Sequence, residues 1–185
     1  MKEIRVKEMM IPISQYATVS EEASLYEAVQ ALADVQKQWN QDMPYKHRSV
    51  LVLNTVGLPV GKLSPMDVVL GLEDGYKKIG DLRGVSHSGF SPEFIKLMMQ
   101  QHQLWQRPLQ DLCKKAARVK VGDIMYSLSE GEYVEEDASL DEAAHRLIVG
   151  KHQSLLVTKE REITGVLRLD DIFHKVCEEI KLCKV

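Results

Sequence analysis

The sequence predicts an α+β protein made of two β-α-β-β-α copies with a helical insert between them. Three observations carry that prediction. The stretch VKEMMIPISQYATVSEEASLYEAVQAL from Val6 aligns without a gap on VGDIMYSLSEGEYVEEDASLDEAAHRL from Val121. After a length difference the register resumes, with KHRSVLV from Lys46 on KHQSLLV from Lys151, and GKLSPMDVV from Gly61 on GVLRLDDIF from Gly165. Within each copy, short β-rich runs give way to helical spacing and return in the same order.

Each copy opens with a β-like segment, ATV at 17–19 or EYV at 132–134. S-x-x-E follows, Ser24 to Glu27 and Ser139 to Glu142. There the hydroxyl can cap the first helical amides while the glutamate reaches back to the cap residue's N–H. Alanines and leucines at helical spacing continue the element. A β-rich run comes next, SVLVLN or SLLVTK, then a turn carrying Gly57 or the charged KERE. A second strand, PVGKL or ITGVLRL, leads to a closing helix near Asp67 or Asp171. The helices must cover one face of a small sheet, since neither element buries its apolar side alone.

The first copy carries extra residues between Leu32 and Lys46, read as a helix extension at about 33–45 plus a loop that Pro44 keeps from continuing as helix. Residues 73–90, rich in glycine and polar groups, read as an irregular loop. Ser91-Pro92 then starts a helix whose apolar side includes Phe94, Ile95, Met98 and Trp105. A second short helix begins at Pro108 and carries Leu109, Leu112, Cys113 and Ala116. The chain thus divides into a first domain at 1–72, an insert at 73–118 and a second domain at 119–185.

Composition excludes several classes. The 24 basic and 27 acidic side chains leave no broad cationic face for nucleic acid or anionic lipid. The N-terminal MKEIRVKEMMIP has no signal-peptide core, and no apolar run approaches the roughly 20 residues that cross a bilayer. Cys113, Cys177 and Cys183 lack CxxC spacing and argue for a reducing compartment. A soluble, cytoplasmic protein is expected. The six histidines form no HxxxH or HExxH pattern. His174 and Cys177 are only two candidate ligands and make no metal site. Without a P-loop or a paired nucleophile and base, no enzyme is expected.

GKLSPMD, Gly61 to Asp67, admits two readings. Ser64, Pro65 and Asp67 suit a helix N-terminus: a cap, a first residue whose missing N–H costs nothing, and an acid against the dipole. The same helix end offers amides to a phosphate, and a carboxylate can accept both hydroxyls of a ribose. The second copy is the control. Arg168 replaces the serine while Asp171 persists, as a ribose contact would require, although Asp170 offers an alternative cap. Arg168 can meet a phosphate as a charged fork or pair with an acid and close its cleft.

The repeated order resembles a tandem pair of CBS (cystathionine-β-synthase-type) domains. The residues that carry the resemblance are Met10 and Met125, Thr18-Val19, Glu27-Ala28, Glu142-Ala143 and Gly61…Ser64…Asp67. It spans nearly all the chain outside about 73–118. It implies a pseudo-twofold pair of repeats with two related clefts, a regulatory module without catalysis or a required cofactor, and a homodimer. The ligand it implies is an adenosine nucleotide: AMP, ADP, ATP or S-adenosylmethionine. Asp67 would hold ribose hydroxyls, Ser64 a phosphate, and Asp171 with Arg168 the matching place in copy two. Arg48 and His152 would face phosphates. Backbone around Thr18-Val19 and Tyr133-Val134 would meet adenine, with the Asp67 cleft using the Tyr133 segment and the Asp171 cleft the Thr18 segment. The competing reading is a ligand-free dimerisation or interaction module, in which the insert, with Met98, Met99 and Trp105, captures a protein target.

Overall fold

A computed structural model of the chain describes residues 3–38, 49–79, 90–106 and 110–182. After β1 (Ile11–Pro12), copy one runs β2 (Thr18–Ser20), α1 (Leu25–Gln38), β3 (Val50–Leu53), β4 (Pro59–Leu63) and α2 (Pro65–Leu72). The insert holds α3 (Gly75–Ile79), α4 (Pro92–Gln101) and α5 (Gln110–Ala116). Copy two follows as β5 (Tyr126–Ser127), β6 (Tyr133–Glu135), α6 (Leu140–Gly150), β7 (Ser154–Lys159), β8 (Glu162–Arg168) and α7 (Leu169–Leu182).

Local chemistry accounts for most boundaries. Ser24 and Glu27 form the expected reciprocal cap: the Ser24 N–H donates to Glu27 Oε2 at 2.7 Å and the Glu27 N–H to Ser24 Oγ at 3.2 Å. The equivalent box at Ser139 does not close, because Ser139 makes no side-chain cap. Glu142 instead accepts from Arg146 one turn on, at 2.8 Å, and the Leu140 amide finds the Ile4 carbonyl at 2.9 Å. The KERE turn puts Glu160 and Arg161 at φ +51° and +73°, the conformation a tight two-residue hairpin demands even without glycine.

The first sheet has the order β2-β3-β4-β5 and the second β1-β8-β7-β6. Each sheet therefore takes an edge strand from the other copy: Ile11 pairs with Val166, and Gly61 with Ser127. The exchange extends to packing. Val6 is buried in the core of copy two, with Val134, Leu140 and Leu155, while Val121 is buried in the core of copy one, with Leu25, Val50 and Leu63. Strand alternation sorts the rest, since successive side chains face opposite sides of a sheet. Val50 and Val52 face the helices, whereas Leu51 faces inward and meets Ile11, Tyr16, Leu156 and Val166, where the two sheets pack together.

Two expectations for the insert change. Residues 73–90 were expected to be irregular, yet Gly75–Ile79 forms a helical turn, tied by the Gly75 N–H to Glu73 Oε1 at 3.0 Å. The Ser91 cap holds, at 3.2 Å from the Phe94 N–H, but α4 stops at Gln101, and Gln103 and Trp105 turn into left-handed backbone. Trp105 therefore leaves the helical stripe; its indole N–H donates to the Tyr76 hydroxyl at 3.2 Å. The 39–45 part of the helix extension, and the start of the short helix at Pro108 and Leu109, fall outside the described residues.

Candidate functional site: the crevice between the copies

The sequence GKLSPMD folds as a reciprocal cap. The Ser64 N–H donates to Asp67 Oδ2 at 2.9 Å, the Ser64 hydroxyl to the same oxygen at 2.6 Å, and the Asp67 N–H to Ser64 Oγ at 3.3 Å. Pro65 occupies the first helical position. Asp67 is only 7% exposed, so its carboxylate is fixed at the head of α2. Capping does not by itself exclude ligand binding, because a carboxylate has about four lone-pair sites and the Ser64 contacts take only part of them.

In copy two the helix starts at Leu169, which makes Arg168 the residue at the cap position and places Asp170 within the first turn. The expectation that Asp170 offers the cap is thus corrected. Asp171 keeps its half of the box: the Arg168 N–H donates to Asp171 Oδ2 at 3.2 Å. The Arg168 guanidinium closes over the same carboxylate, with Nε donating to Oδ2 at 2.8 Å and an Nη to Oδ1. Both oxygens are engaged, and Arg168 is 7% exposed. Retention of the acid at 171 therefore has a structural cause that needs no ribose. Burial pulls the Arg168 guanidinium down, but Asp171 outweighs it and the net shift is upward.

Side chains from the opposite copy line each place. Burial pushes the Tyr16 phenol up while a 2.6 Å hydrogen bond to Ser49 and the charge of Arg168 pull against it, which sets the segment before β2 beside the Arg168–Asp171 pair. On the other side, Lys62 sits on the inward face of β4, where the second repeat has Val166. Its ammonium pairs with Glu132, next to Tyr133, and donates to the Ser154 carbonyl at 3.2 Å and hydroxyl at 3.3 Å. Glu132 is 1% exposed and Lys62 13%. Burial pushes the Glu132 carboxyl up, yet Lys62 and the Ser129 N–H and hydroxyl outweigh it and hold the carboxyl below the ordinary range.

The other candidates fall as follows. Thr18 and Val19 pair with Leu51 and Val52, and Tyr133 and Val134 pair with Leu156 and Val157. The Val134 side chain lies in the core of copy two, so only its backbone can meet a ligand. His152 lies near the same segment, with Nε2 3.6 Å from where a Cβ on Gly131 would sit. Arg48 lies outside the described residues. Lys62 and Glu132 were missed as partners. The one signal was a lysine in GKL where the aligned GVL has valine. Among the described residues no three His, Cys, Asp or Glu side chains cluster as a metal site, and no helix is long and apolar enough to cross a membrane.

Comparison with known proteins agrees with this architecture. A family model for the CBS domain matches residues 121–178. The solved CBS-pair protein CBSX2 from Arabidopsis thaliana superposes with a TM-score of 0.59 at 17% identity, covering 97% of this chain and 98% of that one. A CBS domain-containing protein from Bacillus anthracis gives 0.59 at 16% identity, covering 96% of each chain. A structure of CBSX2 in complex with AMP gives 0.57 at 20% identity, covering 94% and 97%. No curated protein matches the sequence.

Proposed function

We propose that this chain, whose second repeat matches the CBS-domain model and whose fold is that of CBS-pair structures, is a non-catalytic regulatory module that binds an adenosine nucleotide in the crevice headed by Asp67. The observation that carries the reading is the buried Asp67 carboxylate, locked by Ser64 at the head of α2. A helix N-terminus supplies the amides and partial positive charge that a phosphate needs. Ser64, Asp67, Arg48 and the Tyr133-Val134 backbone make up this site, with His152 on the phosphate side. The AMP-bound CBSX2 structure supports the ligand class. In the Asp171 crevice, near Thr18 and Val19, the Arg168 guanidinium engages both carboxylate oxygens, which supports a stoichiometry of one nucleotide per chain, at the Asp67 site.

The same helix connects the site to the insert. Glu73, which ends α2, accepts from the Trp105 N–H at 2.8 Å, and Lys115 of α5 pairs with Asp74 at 2.7 Å. A nucleotide that favours one setting of α2 can shift the insert only by its difference in affinity between settings. The module acts as a cytoplasmic homodimer, for which the exposed Ile148, Val149, Phe173 and Ile180 on α6 and α7 supply apolar surface.

The test is a thermal-shift and calorimetric screen of AMP, ADP, ATP and S-adenosylmethionine. A ligand at a hundred times its Kd adds about 2.7 kcal/mol of stability. Asp67→Ala is expected to abolish that gain while costing about 1 kcal/mol of cap without ligand. Equal nucleotide affinity in variant and parent refutes the role of Asp67.

A further inference from the structure

We propose that the hairpin ends of the two sheets form a second binding site, which takes a small organic ammonium carried on an aromatic or aliphatic body. A cavity of about 950 Å³ opens there. It takes Gly57, Leu58 and Pro59 from the β3–β4 hairpin and Arg161, Glu162 and Ile163 from the β7–β8 hairpin. These are equivalent positions of the two repeats when Gly61 is set on Gly165. A cavity that holds both members of three such pairs straddles the axis relating the copies, so each chain has one. It is not the nucleotide crevice. β4 runs from Pro59, in the cavity wall, to Leu63, and Asp67 lies beyond that far end. At about 3.3 Å per residue, the strand alone separates the two by roughly 13 Å.

Floor and rim together choose the ligand. Leu53, Pro59 and Ile163 make an apolar floor, and Tyr133 adds an aromatic ring, which attracts cations. The rim is acidic, with Glu130, Glu135 and Glu162 against one cation, Arg161. All three acids belong to copy two; copy one has Gln15, Ser20 and Leu58 at the matching positions. The cavity is therefore apolar on one side and anionic on the other. Glu135 is fixed at the wall, where its Oε1 accepts from the buried Thr158 hydroxyl at 3.0 Å. Lys159, next along β7, is already paired with Glu136 at 3.0 Å. Among the described residues neither Glu130 nor Glu162 has an ion-pair partner. An anion would meet three carboxylates, and a neutral apolar molecule would strip their water and replace nothing. An ammonium on an apolar body answers both sides at once. The volume suits such a molecule, since small-ligand pockets span about 300–1,000 Å³.

Titration of the isotope-labelled full chain, followed by NMR, tests the site with phenylbutylamine, phenylbutanol and phenylbutyrate. The three share one body and differ in the charge of the head. The amine is expected to bind about tenfold more tightly than the alcohol, the worth of one charge-assisted hydrogen bond, with the carboxylate weakest. Its shifts should centre on the methyl groups of Leu53, Leu58 and Ile163. The combined variant Glu130→Gln, Glu135→Gln, Glu162→Gln should lose the amine's advantage with unchanged dichroism, because all three side chains are exposed. AMP should leave the bound amine in place. Equal affinity for amine and alcohol, an advantage that survives the three glutamines, or no shift from any probe at millimolar concentration overturns the proposal. Displacement of the amine by AMP would make the cavity part of the Asp67 crevice and overturn it as well.

Discussion

Lys62 reaches from copy one into copy two to neutralise Glu132, and its replacement by methionine isolates the worth of that contact. Methionine keeps most of the length and apolar stem but removes the ammonium. Glu132 is 1% exposed, so it would stay buried with its carboxylate unpaired, apart from the Ser129 hydrogen bonds at 3.0 and 3.1 Å. Breaking a buried pair from one side costs about 3–5 kcal/mol, mainly as the penalty for the charge left behind. For a chain of this size, each kcal/mol moves the melting temperature by about 2–4 °C. Lys62→Met should therefore lower it by about 6 °C or more at pH 7. Adding Glu132→Gln should restore most of the loss, because a neutral amide can keep the Ser129 contact without demanding a counter-charge. Denaturant titration of wild type, both single variants and the double variant gives the coupling directly. A Lys62→Met protein within about 1 kcal/mol of wild type would refute the reasoning, as would a double variant no more stable than Lys62→Met.

The same pair sets an acid limb. Glu132 is held below the ordinary carboxylate range when folded, so its contribution is complete above the unfolded value of about 4.3 and is lost as pH falls through the lower folded one. Denaturation midpoints from pH 6 to pH 3 should fall less steeply in Glu132→Gln than in wild type; parallel curves would contradict this. Arg168→Ser restores a hydroxyl at the cap position and frees Asp171, so calorimetric stoichiometry should rise from one nucleotide per chain to two. Two sites in the wild type, or an unchanged ratio in the variant, would count against a closed second crevice. Gly165→Ala would bring a Cβ within 2.6 Å of the Ile11 carbonyl and 2.8 Å of Met10 Sδ. Overpacking of this kind costs about 1–3 kcal/mol, readable as a lowered denaturant midpoint, and no measurable loss would show that β1 is loosely held.

What the sequence disclosed was what local chemistry controls. Ser24 with Glu27, Ser64 with Asp67, and Ser91 before Pro92 each announce a helix because hydroxyl and amide, joined in the first two by a carboxylate, lie within one turn of each other. SVLVLN shows its two faces by alternation alone. The exchanged leading segments were not legible, since a two-residue strand such as Ile11–Pro12 has no periodicity and its partner lies more than a hundred residues away. Ser139-x-x-Glu142 misled because Arg146, one turn on, competes for the glutamate. Periodicity also exposed an apolar stripe on α4 without naming what it faces. At the site, the acid at 171 read as a sugar contact and Arg168 as either a phosphate fork or the partner of an acid; the rotamer that pairs Arg168 with Asp171 was not visible in the sequence.

The crossed-over β1 and β5 act as two stitches between the halves. Severing the chain at the insert would leave each fragment missing one strand of its sheet, with a bare row of amides and carbonyls where its sibling used to lie. Such fragments have every reason to find one another, so a split protein should knit back into a working whole, while either piece kept alone would be prone to clump. Any signal passing through the molecule is likewise confined to a slight twist or slide of the halves, because pulling them apart would mean unzipping both stitches.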